Sequence, residues 1–240
     1  MNPLNYLLNI IYPPRCICCD CLMDFRSEIC ICDTCRGKLP EIGKHCEICS
    51  YPIDIVFGEE ICPVCRAHGR TFRACTSGFK YKGGIREAIL GLKFKNRIDY
   101  ASTMAQIMVG QLVKRYGEKF PFELVTAVPI SRIRLKERSY NQAELIAREI
   151  SRILKIPHNF KAIARPHDKI RQSRLTAKQR RQNIKGSFEV RNPEIFSNKG
   201  ILLVDDVATT GATLDETSKV LLKSGAREIH CVVFAITVPE

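Results

Sequence analysis

One stretch, Ile201 to Leu214, constrains this chain more than any other, because it reads I-L-L-V-D-D-V-A-T-T-G-A-T-L and changes character twice. Four consecutive aliphatics, Ile201 to Val204, follow the turn signal Asn198-Lys199-Gly200, and an apolar run of that length predicts a central strand covered on both faces. Asp205 and Asp206 come next. Successive strand side chains point to opposite faces, so two ionised carboxylates are costly there unless the strand ends and the pair meets solvent or a ligand. Ala208-Thr209-Thr210-Gly211-Ala212-Thr213 then supplies small residues, hydroxyls and one glycine free to take positive φ, so that successive backbone N–H groups can converge on an anion. A helix is predicted to follow. Thr213 and Glu216 fit a T-x-x-E capping box, Leu214, Thr217, Val220 and Leu221 share one face, and Gly225 closes the helix ahead of a second apolar strand, Glu228 to Thr237. Strand, small-residue loop and helix N-terminus together make the anion site of an open α/β sheet, at the carboxyl end of the strand.

The wording of the stretch is more specific than that. The chain has neither G-x-G-x-x-G nor G-x-x-x-x-G-K-[ST]. An acidic pair followed by T-T-G-x-T resembles the 5-phosphoribosyl 1-pyrophosphate (PRPP) motif of the type I phosphoribosyltransferases. The resemblance implies that Asp205 and Asp206 hold the two ribose hydroxyls. It implies that Ala208, Thr209, Thr210, Gly211, Ala212 and Thr213 hold the 5′-phosphate, with Mg²⁺ arriving on PRPP.

At the other end of the chain the cysteines set the pattern. Eleven of thirteen lie from Cys16 to Cys65, and eight form four C-x-x-C pairs: Cys16/Cys19, Cys32/Cys35, Cys46/Cys49 and Cys62/Cys65. Equal spacing within the first two pairs and the last two predicts two Cys₄ zinc ribbons in tandem, with these eight thiols as ligands of two structural Zn²⁺ ions. Disulfides are the competing reading, disfavoured because no secretion signal is present. Residues 16–65 carry few large apolar side chains, and structural zinc supplies the roughly 10–16 kcal/mol of binding energy that such a segment needs to fold. Spacing alone leaves the pairing open: Cys18 and Cys21 form an overlapping C-x-x-C register, Cys30 sits beside Cys32, and a cross-braced arrangement satisfies the same intervals. Cys75 and Cys231 read as small core residues.

A chain of 240 residues accommodates a small domain and a medium one, here 1–70 and 77–240 with Ala67 to Thr76 as linker. Leu4 to Tyr12 is apolar but too short to span a membrane, and reads as a short helix packed on the fold of a cytoplasmic protein without stable membrane insertion. Gly78 to Lys82 alternates like a strand, Ile85 to Leu92 and Ala101 to Tyr116 are helical, Leu124 to Val128 is a buried strand, and Gln142 to Leu154 is another amphipathic helix. Strands alternating with helices predict a mostly parallel, doubly wound sheet. Between strand and helix, Pro129 to Gln142 reads as a loop whose cations Arg132, Arg134, Lys136 and Arg138 face the anion-binding end of the sheet.

In order along the chain come the C-x-x-C pairs, L-K-F at Leu92 to Phe94, Val128-Pro129, R-x-x-x-R-x-x-N-Q at Arg134 to Gln142, Q-x-x-L at Gln172 to Leu175, Arg180, Asn183 and D-D-V-x-T-T-G-x-T. This succession resembles the ComF/ComFC (GntX-like) family of competence-associated, phosphoribosyltransferase-like proteins over nearly the whole chain. One departure is Ser139-Tyr140 where the family pattern has Gly-Phe. The resemblance implies a type I phosphoribosyltransferase fold preceded by a small Cys₄ zinc-ribbon domain, PRPP contacts from Lys93 and Asn141, and Arg134 and Arg138 stabilising a departing pyrophosphate beside Asp205 and Asp206.

Charge supplies a second function class. The formal net charge is +13, and residues 161–191 hold ten Lys or Arg against two acids. Such a patch suits a polyanion, and Arg171, Arg174, Lys178, Arg180 and Arg181 are the expected nucleic-acid contacts, with single-stranded DNA the partner that the family resemblance implies. The same cations would also suit a hood over PRPP. Three functions are consistent with these features: handling of incoming single-stranded DNA in natural transformation alongside DNA-uptake machinery proteins, transfer of ribose 5-phosphate from Mg-PRPP to an acceptor, and PRPP-sensing regulation.

Overall fold

A computed structural model describes residues 13–53, 60–166 and 184–238. The apolar segment before residue 13 and the cations Arg171, Arg174, Lys178, Arg180 and Arg181 lie outside them. Within them, α1 (Asp33–Arg36) and α2 (Pro63–His68) belong to the cysteine-rich region. Then come β1 (Ala74–Thr76), β2 (Phe79–Lys80), α3 (Gly83–Phe94), α4 (Tyr100–Tyr116), β3 (Leu124–Ala127), α5 (Arg132–Arg138), α6 (Gln142–Leu154), β4 (Ile163–Ala164), β5 (Glu189–Val190), β6 (Gly200–Ala208), α7 (Ala212–Lys223) and β7 (Glu228–Ile236).

The main sheet is wholly parallel, in the order β1-β7-β6-β3, with β2 continuing the β1 edge along β7. Leu124 to Ala127 of β3 register on Ile201 to Val204 of β6, which registers in turn on Ile229 to Val232 of β7. The apolar run of β6 divides by the period of a strand. Leu202 and Val204 join Val232, Phe234 and the buried faces of α3, α4 and α6, whereas Ile201 and Leu203 join Ile229, Cys231 and Leu214 and Leu221 of α7. Two cores on opposite faces of one parallel sheet make the fold doubly wound. At about 25 cal/mol per Å² of apolar surface, these layers supply the main favourable term in folding.

The cysteine-rich region docks on both layers. Cys16, Ile17, Cys18 and Ile31 are buried in the core with α3 and α4, whereas Ile42 lies in the core with α7. Cys18 packs so closely on Gly84, in the first turn of α3, that a Cβ there would sit 2.6 Å from its own. Main-chain bonds tie the second half of the region to the sheet: Cys75 N donates to Ile48 O at 2.7 Å, and Ser50 Oγ to Cys75 O at 2.6 Å.

Four expectations are corrected. Ala74–Thr76, read as the end of a linker, is an edge strand whose three residues are buried against β7. The Pro129–Gln142 loop contains α5, which starts where Ser131 Oγ accepts from Arg134 N at 3.3 Å. Strand β6 does not end at the acids but runs on to Ala208. Finally, α7 begins before Thr213, with Gly211 as its N-cap, so Thr213 and Glu216 form no capping box; Glu216 instead accepts from Gly186 N at 2.7 Å.

Candidate functional site

The acids lie inside the strand, and each has a different environment. Asp206 is 2% exposed. Its charge is balanced by Lys93, in the last turn of α3, whose Nζ lies 2.5 Å from Asp206 Oδ2 but off the line of an aligned hydrogen bond. Asp205 Oδ1 accepts from Asp206 N at 2.9 Å. Burial, and then the charge of Asp206, hold the Asp205 carboxyl well above the ordinary carboxylate range, against the opposing pull of Lys93. The pair therefore carries less than two full negative charges without a ligand. Hydroxyl donors arriving at these oxygens would favour the ionised form.

Beyond the acids, Ala208 is followed by a tight turn in which Gly211 takes φ +75°. Any side chain would be strained in that conformation. The turn places the N-terminus of α7 at the carboxyl end of β6, and its first-turn amides and helix dipole favour an anion. Thr210 Oγ1 accepts from Ala212 N at 3.4 Å, and the Thr209 side of the turn is exposed.

From the β3 side, α5 brings cations to the acid pair. Arg138 is partly buried, its Nη1 donates to Gln142 Oε1 at 3.1 Å, and its Cζ lies 4.8 Å from the centre of the Phe94 ring. Burial and the neighbouring Arg134 lower its pKa, while Asp206 opposes them. Lys93, Arg134, Arg138 and the acids thus converge on one end of the sheet. Asn141 has a different place: it caps α6 by accepting from Ala143 N at 3.0 Å, and its amide hydrogens go to Val128 O at 3.0 Å and Glu144 Oε1 at 3.2 Å. Its side chain holds the end of β3 to the start of α6.

The two halves of the cysteine-rich region repeat one another. Arg15↔Leu22 and His45↔Pro52 bridge antiparallel around the first C-x-x-C of each half. Asp20 N donates to Cys16 O and Ser50 N to Cys46 O, both at 2.8 Å, with Asp20 and Ser50 at φ +62° and +55°. Helices α1 and α2 start directly after Cys32 and Cys62. Cys19 and Cys32 Sγ lie 3.7 Å apart, as do Cys49 and Cys62. The pairing is therefore consecutive, first with second and third with fourth, not cross-braced.

Cys46, Cys49, Cys62 and Cys65 place their sulfurs within 4.8 Å of one another, as the spacing predicts. The first cluster is more crowded. Cys16, Cys19, Cys32 and the exposed Cys21 meet the same criterion, and Cys35 groups with Cys16 and Cys18 while also contacting Cys19 and Cys32. Main-chain amides serve the sulfurs: Cys32 N donates to Cys16 Sγ at 3.4 Å, and the Cys21 amide is the chief cause lowering the Cys19 thiol to about 6. Soft, amide-stabilised sulfur sets of this kind suit a tetrahedral thiophilic ion. Cys75 and Cys231 are fully buried and belong to neither cluster.

Sequence reasoning missed Arg70 and Asp215. Asp215, in the first turn of α7, accepts from Thr71 N at 3.0 Å and pairs with Arg70 at 2.6 Å. A lone arginine in an apparent linker carries no motif that could have marked it.

Breaking the Lys93–Asp206 pair from one side leaves a buried charge without a partner. Lys93→Met is expected to destabilise the chain by about 3–5 kcal/mol. Lys93→Met with Asp206→Asn is expected to recover most of that loss, read from urea unfolding midpoints. Equal stability of Lys93→Met and the unsubstituted chain would show that the pair is not desolvated as the geometry implies.

Comparison with known proteins agrees with these features. Residues 140–238 match the phosphoribosyl transferase domain family. The chain is 30% identical to competence protein F of Haemophilus influenzae over 89% of its own length and 87% of that protein. It is 26% identical to the DNA utilization protein YhgH of Escherichia coli K12, covering 83% of this chain and 87% of that one, and 29% identical to competence protein ComFC of Bacillus subtilis, covering 81% and 79%. Among solved structures it overlaps the glutamine PRPP amidotransferase of B. subtilis, with a TM-score of 0.39 and 15% identity over 60% of this chain and 30% of that one. By these relatives and this domain, the chain belongs to the competence protein F/ComFC family of phosphoribosyltransferase-domain proteins.

Proposed function

We propose that the chain binds Mg-PRPP at the end of β6 and handles incoming single-stranded DNA during natural transformation, with a structural zinc ion in each cysteine cluster. The observation that carries the PRPP reading is the succession of three features along one strand: a buried acid pair, a positive-φ glycine turn and a helix N-terminus. Asp205 and Asp206 would accept from the ribose hydroxyls. Residues 208–213 would hold the 5′-phosphate with main-chain amides and threonine hydroxyls. Lys93, Arg134 and Arg138 would face the pyrophosphate, whose charge Mg²⁺ shares.

A second reading is supported by the cations at the acid pair. Arg138 lies close enough to Asp206 to feel its charge, and Arg134 is beside it. Positive groups at that point would stabilise charge growing on a departing pyrophosphate, the electrostatic part of phosphoribosyl transfer. The acceptor for such a transfer, the PRPP-sensing role and DNA-uptake machinery partners are further proposals that rest on the same pocket.

The acid pair makes opposite demands on stability and binding. The folded pKa of Asp205 lies above its unfolded value, so ionising it costs native stability as pH rises from about 4, the unfolded carboxylate range. Asp205→Asn is therefore expected to stabilise the unliganded chain at neutral pH, with the gain vanishing at low pH. The same substitution is expected to weaken PRPP binding by roughly 10- to 100-fold, the size of one or two charge-assisted hydrogen bonds. Unchanged PRPP affinity in calorimetry would remove Asp205 from the site.

For nucleic acid, the basic 161–191 segment predicts single-stranded DNA binding that weakens steeply with salt. Changing Arg174, Arg180 and Arg181 to Glu should reduce oligo-dT affinity and flatten the slope of log affinity against log salt by about 3, one for each phosphate no longer neutralised. Salt-independent binding, or none, would refute the DNA reading.

A further inference from the structure

Arg70 is the side chain through which the cysteine-rich region meets the phosphate turn. It follows Gly69, which ends α2, and only 8% of its side chain is exposed. Its guanidinium makes two directed contacts on opposite sides. Nε donates to Cys65 Sγ at 3.5 Å, and Nη1 meets Asp215 Oδ2 at 2.6 Å. A third contact comes from shape: a Cβ built on Gly211 would lie 3.1 Å from Arg70 Nη1 and 3.4 Å from Cζ. The guanidinium therefore lies close under the turn that precedes α7, and Gly211 is constrained both by its positive φ and by this close approach. Thr71 N, the next residue, donates to the other Asp215 oxygen at 3.0 Å, so the Asp215 carboxylate is gripped from both sides.

The partners differ in kind. Cys65 is one of the four sulfurs of the second cluster, and Asp215 sits in the first turn of the helix whose N-terminus faces the anion. A metal at Cys46, Cys49, Cys62 and Cys65 would fix the Cys65 sulfur and keep it a hydrogen-bond acceptor. A phosphate on the turn would fix residues 209–213. Arg70 connects those two events with a rigid planar fork that lysine cannot reproduce. The ribbon is itself anchored independently to β1 and α4, since Ser50 and Arg115 bond the main chain of Cys75 and Glu47. Movement at Cys65 therefore passes to the turn rather than being absorbed by a loose domain.

We propose that Arg70 is a positioning residue that couples the second cysteine cluster to the phosphate turn, so that metal at Cys46–Cys65 and phosphate at Thr209–Thr213 strengthen each other's binding. This rests on the reading of the turn as a phosphate site and of the cluster as a zinc site. Coupling of two binding equilibria is reciprocal: the factor by which zinc strengthens phosphate binding equals the factor by which phosphate strengthens zinc binding.

The test uses the full-length, zinc-loaded chain and ribose 5-phosphate as probe. Affinity is measured by calorimetry, amide hydrogen exchange is followed over residues 44–72 and 209–215, and zinc transfer to a chromogenic chelator is timed. With unsubstituted protein, ribose 5-phosphate is expected to protect both segments and to slow zinc transfer. Arg70→Lys keeps a cation beside Asp215 but loses the fork. It is expected to retain its zinc content, to bind ribose 5-phosphate about tenfold more weakly, the equivalent of one charge-assisted hydrogen bond, and to show no ligand response in residues 44–72. Asp215→Asn, which breaks the grip from the other side, is expected to give the same loss of response. Ribose 5-phosphate binding that leaves ribbon exchange and zinc transfer unchanged in the unsubstituted chain would overturn the coupling while leaving the phosphate site intact, as would full coupling in Arg70→Lys. Failure of the unsubstituted chain to bind ribose 5-phosphate would overturn the phosphate reading and this proposal with it.

Discussion

Asp206 is buried in the middle of a parallel sheet, 2.5 Å from the Lys93 ammonium, and much of the molecule is arranged around that charge. An isolated carboxylate in such a place would cost several kcal/mol, so α3 must deliver Lys93 to the carboxyl end of β6. The end of α3 is held in turn by Tyr140, whose hydroxyl donates to Leu92 O, and by Arg138, which stacks on Phe94. The segment from α5 to α6 is thereby locked to the same point, and Asn141 fastens it to the end of β3. With one cation for two carboxylates, Asp205 remains the group that a ligand must ionise or bind. A stable resting protein and a receptive acid pair come from the same arithmetic of charge.

Gly211 is the second fixed point. Its positive φ turns the chain from β6 into α7, and its missing side chain leaves room for Arg70 beneath. The cysteine-rich region therefore does more than precede the phosphoribosyltransferase domain. Its first half contributes Cys16, Ile17 and Ile31 to one core layer, and its second half reaches the phosphate turn through Arg70.

The parts of this architecture that were legible in the sequence are those whose chemistry is local. The run Ile201 to Val204, the acid pair and T-T-G-x-T mark a strand, a site and a helix start within a few residues, and four C-x-x-C pairs mark two clusters by spacing. Less legible were features decided by tertiary contact. A strand of three residues, Ala74–Thr76, is too short to show a period, and only pairing with β7 makes it one. Helix α5 buries none of its residues, with Ile133 and Leu135 exposed, so no apolar face announces it. The continuation of β6 past two carboxylates was hidden because the cost of burying Asp206 is met by Lys93, more than a hundred residues away. The capping box at Thr213 failed for a related reason: Gly211 in the left-handed conformation starts the helix earlier and removes the need for a side-chain cap. In the first cluster, spacing could not show that Cys18 and Cys21 would crowd in beside the expected four thiols, because both are brought there by the knuckle that Asp20 turns.

The central claim is that β6 and α7 form a PRPP site, and titration calorimetry of Mg-PRPP into the zinc-loaded chain tests it most directly. The account predicts one PRPP per chain at about micromolar affinity, lost when Asp205 and Asp206 are both changed to Asn. Absence of binding at millimolar PRPP, in a protein that carries its zinc and is folded, would contradict it and leave the buried acid pair without a ligand.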